Sequence, residues 1–221
     1  MSQASSTRRR STRGEQTRNR ILEATLATIA ELGLRGVTHR EVARRADVQL
    51  SLTTYYFSDI EELIREAFVL FSTQSRPGYE EAWTGIFDFL ESFPRSELRR
   101  TEVKERVCEG LSQRATDYLV TQIMEKPIGL AVEQTFFTAA RLSPELQAIA
   151  DEHRANLLKP LVSLCSTFNR SDPEIDAELL LDVITTLEYA AMSMPEDNID
   201  TQRLHRLIRR QVGWAIGLRR A

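Results

Sequence analysis

Apolar residues recur along this chain at three- and four-residue intervals, the spacing of helices that bury one face. Leu22, Leu26, Ile29 and Leu32 form the first such stripe in a helix that becomes regular at Thr17. Gly33 predicts its end, since glycine accepts the left-handed conformation that closes many helices. Gly36 and Val37 carry the connection. Thr38 with Glu41 three residues on spells a capping box and predicts a helix over 39–46, with Val42, Ala43 and Ala46 inward. Asp47-Val48-Gln49 predicts a tight turn, and a second short helix follows over 50–56. Ser58 with Glu61 repeats the capping box and opens a helix carrying Leu63, Ala67, Leu70 and Phe71 on one face.

Beyond residue 58 the pattern predicts helices over 59–75, 79–93, 97–125, 128–142, 144–168, 173–194 and 200–219. The breaks between them are Pro77-Gly78, Phe93-Pro94, Lys126-Pro127, Ser143-Pro144, Asp172-Pro173 and Pro195 to Asn198. Ser143-Pro144 and Asp172-Pro173 each set an N-cap residue before a proline at the first helical position. No stretch alternates with period two, and no repeat occurs. The expected fold class is all-α.

Composition sharpens this picture in three places. Hydrophobic content of 42% and charged content of 28% over 221 residues describe an ordinary globular protein. No run of about 18 apolar residues is present, so no membrane span is expected, and the polar N-terminus lacks the apolar region of a secretory signal. The expected location is cytoplasmic. Residues 1–16 are low in apolar content and read as a disordered basic arm. Charge is divided unevenly: residues 1–57 hold 10 Arg against 5 acids, a net +5, and the remainder of the chain carries −8. A basic N-terminal quarter on an acidic body suggests a polyanion partner for that quarter.

The chemistry of enzymes is missing from the pattern. His39, His153 and His205 fall in three different predicted helices, and no HExxH, GxSxG or Gly-rich phosphate loop occurs. Cys108 and Cys165 are isolated, without metal-ligand spacing, and read as buried thiols in a reducing compartment. Catalysis, a cofactor and a metal site are therefore not expected.

The stretch "VARRADVQLSLTTYYF", Val42 to Phe57, carries the strongest functional signal. Thr and Tyr are mediocre helix formers, so a helix built for packing has little use for so many hydroxyls, whereas one that meets a polar surface does. A short helix, a three- or four-residue turn and a second short helix describe a helix-turn-helix, whose second helix enters the DNA major groove while the first crosses the backbone. Thr38 stands at a helix N-terminus, where a hydroxyl and free N–H groups can hold phosphate. Arg40, Arg44 and Arg45 suit phosphates or a guanine edge. Ser51, Thr54, Tyr55 and Tyr56 suit phosphate or base-edge hydrogen bonds, and Leu50 and Leu52 suit thymine methyls. Gln49 completes the candidate set. Each has a plainer reading: a solvated helix face for the arginines, packing against the first helix for a tyrosine, core for Leu52.

Ile21 to Phe68 resembles the DNA-binding domain of TetR-type transcriptional regulators. The shared frame is the apolar helix ending in Gly33, Gly36-Val37-Thr38, the "VARRADV" helix and turn, the Tyr-Tyr-Phe close and the "EEL" start of the next helix. Three positions depart from the family's pattern. Asp47 stands at a turn position usually held by Gly, which Asp tolerates because it visits the left-handed region. Thr53 stands where many members bury Leu or Ile, beside Leu52, so which of the two faces DNA stays open. Ile60 replaces a Lys that often contacts phosphate. Arg8, Arg9, Arg10 and Arg13 either compensate along phosphates or in the minor groove, or belong to a functionless tail.

The resemblance implies a helix-turn-helix domain over 17–58 followed by a helical effector-binding and dimerisation domain over 59–221. It implies a double-stranded DNA operator, a homodimer through about 173–194 and 200–219, and an unidentified small-molecule effector. Candidate effector contacts are Phe71, Trp83, Phe87, Tyr118, Met124, Glu133, Phe136 and Phe137. Aromatic residues at helical spacing fit plain core equally well. The implied function is a dimeric repressor released from a palindromic operator by an effector. The alternatives are an effector-independent regulator or activator, and a helical adaptor whose basic end binds a protein or a membrane surface.

Overall fold

The computed structural model describes residues 3–139, 144–192, 194–195 and 199–218, with side chains from Arg13 onward except that of Ala139. All regular structure among these residues is helical: α1 (Gln3–Leu32), a 3₁₀ turn (Leu34–Gly36), α2 (His39–Arg45), α3 (Leu50–Tyr56), α4 (Ile60–Glu91), α5 (Thr101–Glu125), α6 (Pro127–Ala139), α7 (Pro144–Ser166), α8 (Pro173–Met192) and α9 (Thr201–Ala215). The fold class is all-α, with an N-terminal helix-turn-helix followed by a larger set of helices.

The chain forms two compact units. One comprises the chain up to Gln74 with Ala131–Ala150, the other Ser75–Leu130 with Asp151–Ala221. In the first unit the α1 stripe Ile21, Leu22, Leu26 and Ile29 packs with Val37, Val42, Phe57, Leu63 and Phe68, and with Val132 and Phe136. Two threonines lie inside the same face of α1. Thr25 and Thr28 are fully buried, and each donates its hydroxyl proton to the carbonyl four residues back, Ile21 at 2.8 Å and Ala24 at 2.7 Å. A buried hydroxyl satisfied within its own helix needs no partner elsewhere. Phe68 and Phe136 stack with centroids 3.8 Å apart.

In the second unit α5 buries Val103, Val107, Cys108, Leu111, Leu119 and Ile123. It packs against both α8 and α9, which pack on each other. α9 supplies Leu204, Ile208, Val212 and Ala215, one stripe at helical spacing.

Several expected boundaries differ from those found. The helix expected to end before Pro77-Gly78 continues through both residues as α4. An interior proline costs about 3 kcal/mol; burial of Leu63, Ala67 and Phe68 before it and Leu90 after it outweighs local propensity. α5 begins at Thr101 rather than near 97, because two turns come first: Glu97 N–H donates to the Pro94 carbonyl at 2.9 Å and Arg100 N–H to that of Glu97 at 2.8 Å. Of residues 1–16, expected without structure, 3–16 continue α1 as helix, and from Arg13 onward the first residue that α1 buries is Ile21. Pro127, Pro144 and Pro173 each open a helix at its first residue. Ser143, the expected cap of α7, lies outside the described residues, as do residues 196–198 of the break after α8.

Candidate nucleic-acid interface

α2 begins where the sequence places it. Thr38 is its N-cap in extended conformation, and the hydroxyl accepts from Glu41 N–H at 3.1 Å. The return half of the expected box is replaced. Glu41 instead gives its carboxylate to Arg44, which donates through Nε at 3.0 Å and also through Nη2, and to Arg45 at 3.7 Å. These guanidiniums outcompete a backbone N–H because they are charged. The hydrogen bond from Arg44 holds the Glu41 carboxyl below its usual range.

The second box is displaced by one residue. Asp59, not Ser58, caps α4, accepting from Glu62 N–H at 2.7 Å, and the Glu62 carboxylate accepts from Ser58 N–H at 2.7 Å. Glu62 thus replaces Glu61 as the reciprocal partner. Backbone N–H donation, from Glu62 to Asp59 and from Ser58 to Glu62, lowers both carboxyl pKa values.

Between α2 and α3 the chain reverses at Asp47, whose φ of 51° is left-handed. Gly33 closes α1 at a positive φ of 66° with ψ at −179°, an extended conformation that glycine alone adopts readily. Both positions follow the sequence. Gln49 precedes α3 in extended conformation.

α3 has two distinct sides. Thr53 is fully buried, its hydroxyl donating to the Leu50 carbonyl at 2.8 Å, and Phe57 just beyond the helix is buried with it. The opposite side carries Leu50, Ser51, Thr54 and Tyr55, spaced so that they share one exposed face. Tyr55 is 78% exposed and Leu50 50%. Leu52 is half-buried and Tyr56 is half-buried with its ring edge-on to Tyr55 at 5.1 Å. Of the pair left open by the sequence, Thr53 is the core residue. Leu52 lines a recess of about 550 Å³ with Arg13, Thr17, Arg20, Gln49 and Tyr56 among its walls.

The arginines divide by partner. Arg45 is bidentate to Glu31 of α1, both bonds 2.7 Å. Arg18 pairs with Glu66 of α4 at 2.7 Å and lies over the Phe57 ring. Arg20 donates to the carbonyls of Ala46 and Asp47. Arg44 is exposed but held by Glu41. Arg40 is exposed and meets no described carboxylate. The sequence signalled charge here without its destination; no spacing rule marks Arg18, Arg20 and Arg45 as fasteners.

The candidate effector residues fall into two sets. Phe71, Glu133, Phe136 and Phe137 belong to the first unit, where Phe136 is fully buried and Phe137 lies 6.2 Å from it, ring to ring. Trp83, Phe87, Tyr118 and Met124 belong to the second. There Tyr79, Trp83 and Phe87 form a row with centroids 6.1 and 5.6 Å apart, Tyr118 is half-buried and Met124 is exposed. Cys108 and Cys165 are free, buried thiols, and burial pushes Cys165 up to about 12. Among the described residues no helix is long and apolar enough to cross a membrane, and no group of three His, Cys, Asp or Glu is placed to hold a metal ion.

Comparison with known proteins agrees with this geometry. Residues 21–67 match the family described as bacterial regulatory proteins, tetR family. A structure from Mesorhizobium loti MAFF303099, described as a TetR-family transcriptional regulator, is similar over 93% of this chain and 98% of its own at 18% identity, with a TM-score of 0.67. A transcriptional regulator from Streptomyces coelicolor A3(2) is 26% identical over 89% of this chain and 98% of its own, TM-score 0.57. The multidrug binding protein EbrR, complexed with proflavin, is 23% identical over 88% and 99%, TM-score 0.52. A search of curated proteins finds no match. Residues 21–67 thus carry the segment that marks the tetR family of bacterial regulatory proteins, and the chain as a whole shares its fold with these regulators.

Proposed function

We propose that this protein is a homodimeric repressor of transcription that reads a palindromic operator with α3 and is released from it by a small molecule. The observation that carries the reading is the two-sided character of α3: Thr53 is buried, while Leu50, Ser51, Thr54 and Tyr55 stand together in solvent. One apolar group and three hydroxyls match what a major groove offers, thymine methyls beside donors and acceptors. Arg40 and Arg44 on α2, with Thr38 at its N-cap, suit the flanking phosphates, and Gln49 suits a base edge at the start of α3.

One helix of seven residues reads few bases, and symmetric dimers double the contact with half-sites one turn of DNA apart or a multiple of it. Ile175 and Leu179 on α8, and Leu207 and Trp214 on α9, are large apolar residues left exposed, with Trp214 at 59%. Such residues on two neighbouring helices support a second copy of the chain as their cover. The effector part of the reading draws on the aromatic row Tyr79, Trp83 and Phe87 and on the fold shared with a multidrug binding protein. An effector that fits only the geometry unsuited to DNA shifts the population away from the operator. Moving it from 1:99 to 99:1 takes about 5.5 kcal/mol of differential affinity.

The test replaces Thr54 and Tyr55 together by alanine and compares the duplexes that wild type and variant retain from one random pool. Loss of the wild-type sequences by a variant that stays folded and dimeric is the expected result. Recovery of the same sequences would remove the α3 face from the reading.

A further inference from the structure

Arg20 lies in the basic N-terminal quarter, and by charge alone it belongs with residues that meet phosphate. Its geometry assigns it another task. In the turn after α2, the N–H groups of Ala46, Asp47 and Val48 are directed to the carbonyls of Val42, Arg44 and Ala43. The carbonyls of Ala46 and Asp47 are met from α1, by Nη2 of Arg20, the second at 3.2 Å. One guanidinium nitrogen therefore bridges the two peptide units on either side of the left-handed residue.

We propose that Arg20 is a positioning residue for operator reading, acting through the turn that aims α3 and not by touching DNA. This rests on the assignment of α3 as the DNA-reading helix. The turn holds a non-glycine residue at positive φ, a conformation that persists only where its surroundings over-determine it. α3 has two anchors of its own in the core, Thr53 and Phe57, and the turn fixes its other end. Without the guanidinium, the Ala46 and Asp47 carbonyls turn to water and the start of α3 gains alternative directions. A charged donor on carbonyl oxygen is stronger than a neutral one, so this loss is not made good by another side chain of the turn.

The experiment uses the full chain with Arg20→Met, which keeps the stem without the donors, and Arg20→Lys, which keeps the charge. Each is titrated with the operator selected by the wild type and with a random-sequence duplex of equal length, over a salt series. In parallel, amide exchange is followed at Val48 and Leu52 in the DNA-free protein, both donors in this turn. Arg20→Met is expected to weaken operator binding by about tenfold or more, to leave the random duplex and the salt slope unchanged, and to speed exchange at both amides. Arg20→Lys is expected to recover part of each loss, and serves alone if the Met variant does not fold.

An equal loss on both duplexes with a slope shallower by about 0.9 per contact makes Arg20 a phosphate ligand and overturns the proposal. Unchanged operator affinity overturns it as well. If the wild type prefers no sequence, the DNA-reading assignment itself fails and takes the operator role of Arg20 with it. The exchange rates then still report, separately, whether Arg20 holds the turn.

Discussion

Arg40 and Arg45 lie five residues apart on the same short helix, and the structure gives them opposite surroundings. Arg45 is committed twice over to Glu31 of α1, at 2.7 Å on both arms, whereas Arg40 stands in solvent with no described carboxylate beside it. A cation that neutralises a phosphate releases condensed counterions, so each such contact steepens the dependence of log affinity on log salt by about 0.9 on duplex DNA. In a symmetric dimer Arg40 occurs twice, and Arg40→Ala is expected to flatten the slope by about 1.8. Between 50 and 200 mM salt the advantage of wild type over that variant then shrinks about twelvefold.

Arg45→Ala should leave the slope alone. Its effect is expected on stability, through the lost tie between α1 and α2. The assay is fluorescence anisotropy of a labelled operator with each variant over that salt range, with sedimentation as the check on dimerisation. A flattened slope for Arg45→Ala with none for Arg40→Ala would refute the reasoning. It would mean that ion pairs within the protein do not decide which arginines reach phosphate. Arg44 stands between the two, since its guanidinium must leave Glu41 before it can turn to DNA.

Other regions of the molecule offer tests of a different kind. A Cβ added at Gly110 would stand 2.2 Å from the Phe89 ring, which is itself covered by the Arg114 guanidinium at 4.0 Å. Gly110→Ala should destabilise by about 1–2 kcal/mol in the wild type, overpacking outweighing helix propensity, yet stabilise by about 1 kcal/mol in a Phe89→Ala background; equal effects in both backgrounds, by chemical denaturation, would contradict the contact. The carboxyls of Glu31, held down by the Arg45 hydrogen bond, and of Glu62, held down by Ser58 N–H, titrate lower folded than unfolded. Their contribution is present above the ordinary carboxylate range of about 4.3 and lost as pH falls through the lower folded values. Glu62→Gln should therefore flatten stability against pH between about 5 and 3, and an unaltered acid profile would count against the displaced cap. Trp214→Glu with Leu179→Glu should yield a folded monomer by sedimentation, since both side chains are exposed in the single chain; a persistent dimer would place the interface elsewhere.

The elements were legible in the sequence wherever local chemistry decides them. The α1 stripe, the close at Gly33, the Thr38 cap and the left-handed Asp47 all rest on interactions within a few residues. Pro77 misled because proline's local penalty is real and only burial on either side of it, a property of the folded chain, overrides it. Ser58 misled because Ser and Asp are equally good caps and stand side by side. The face proposed to read DNA was half legible. Hydroxyls crowded on a short helix announce a polar partner, but the choice between Leu52 and Thr53 waited on which one the core accepts. The arginines were the least legible. Arg18, Arg20, Arg44 and Arg45 look alike in composition, and contacts 48, 26 and 14 residues apart in sequence, two to carboxylates and the middle one to a backbone carbonyl, separate three of them from Arg40. For the aromatics, core and ligand wall share one periodicity, so spacing alone does not distinguish Phe136 in its stack from Trp83 in its row.

The central claim, sequence-specific reading of DNA by a symmetric pair of α3 helices, is tested most directly by selecting bound duplexes from a random pool and measuring the salt dependence of the winners. The account predicts an enriched palindrome whose half-sites lie about one helical turn apart or a multiple of it, bound by two chains, with affinity about a thousandfold or more above random duplex and falling steeply with salt. A pool that emerges without enrichment, its duplexes bound alike whatever their sequence, would contradict it and direct attention to a protein or membrane surface as the partner of the basic face.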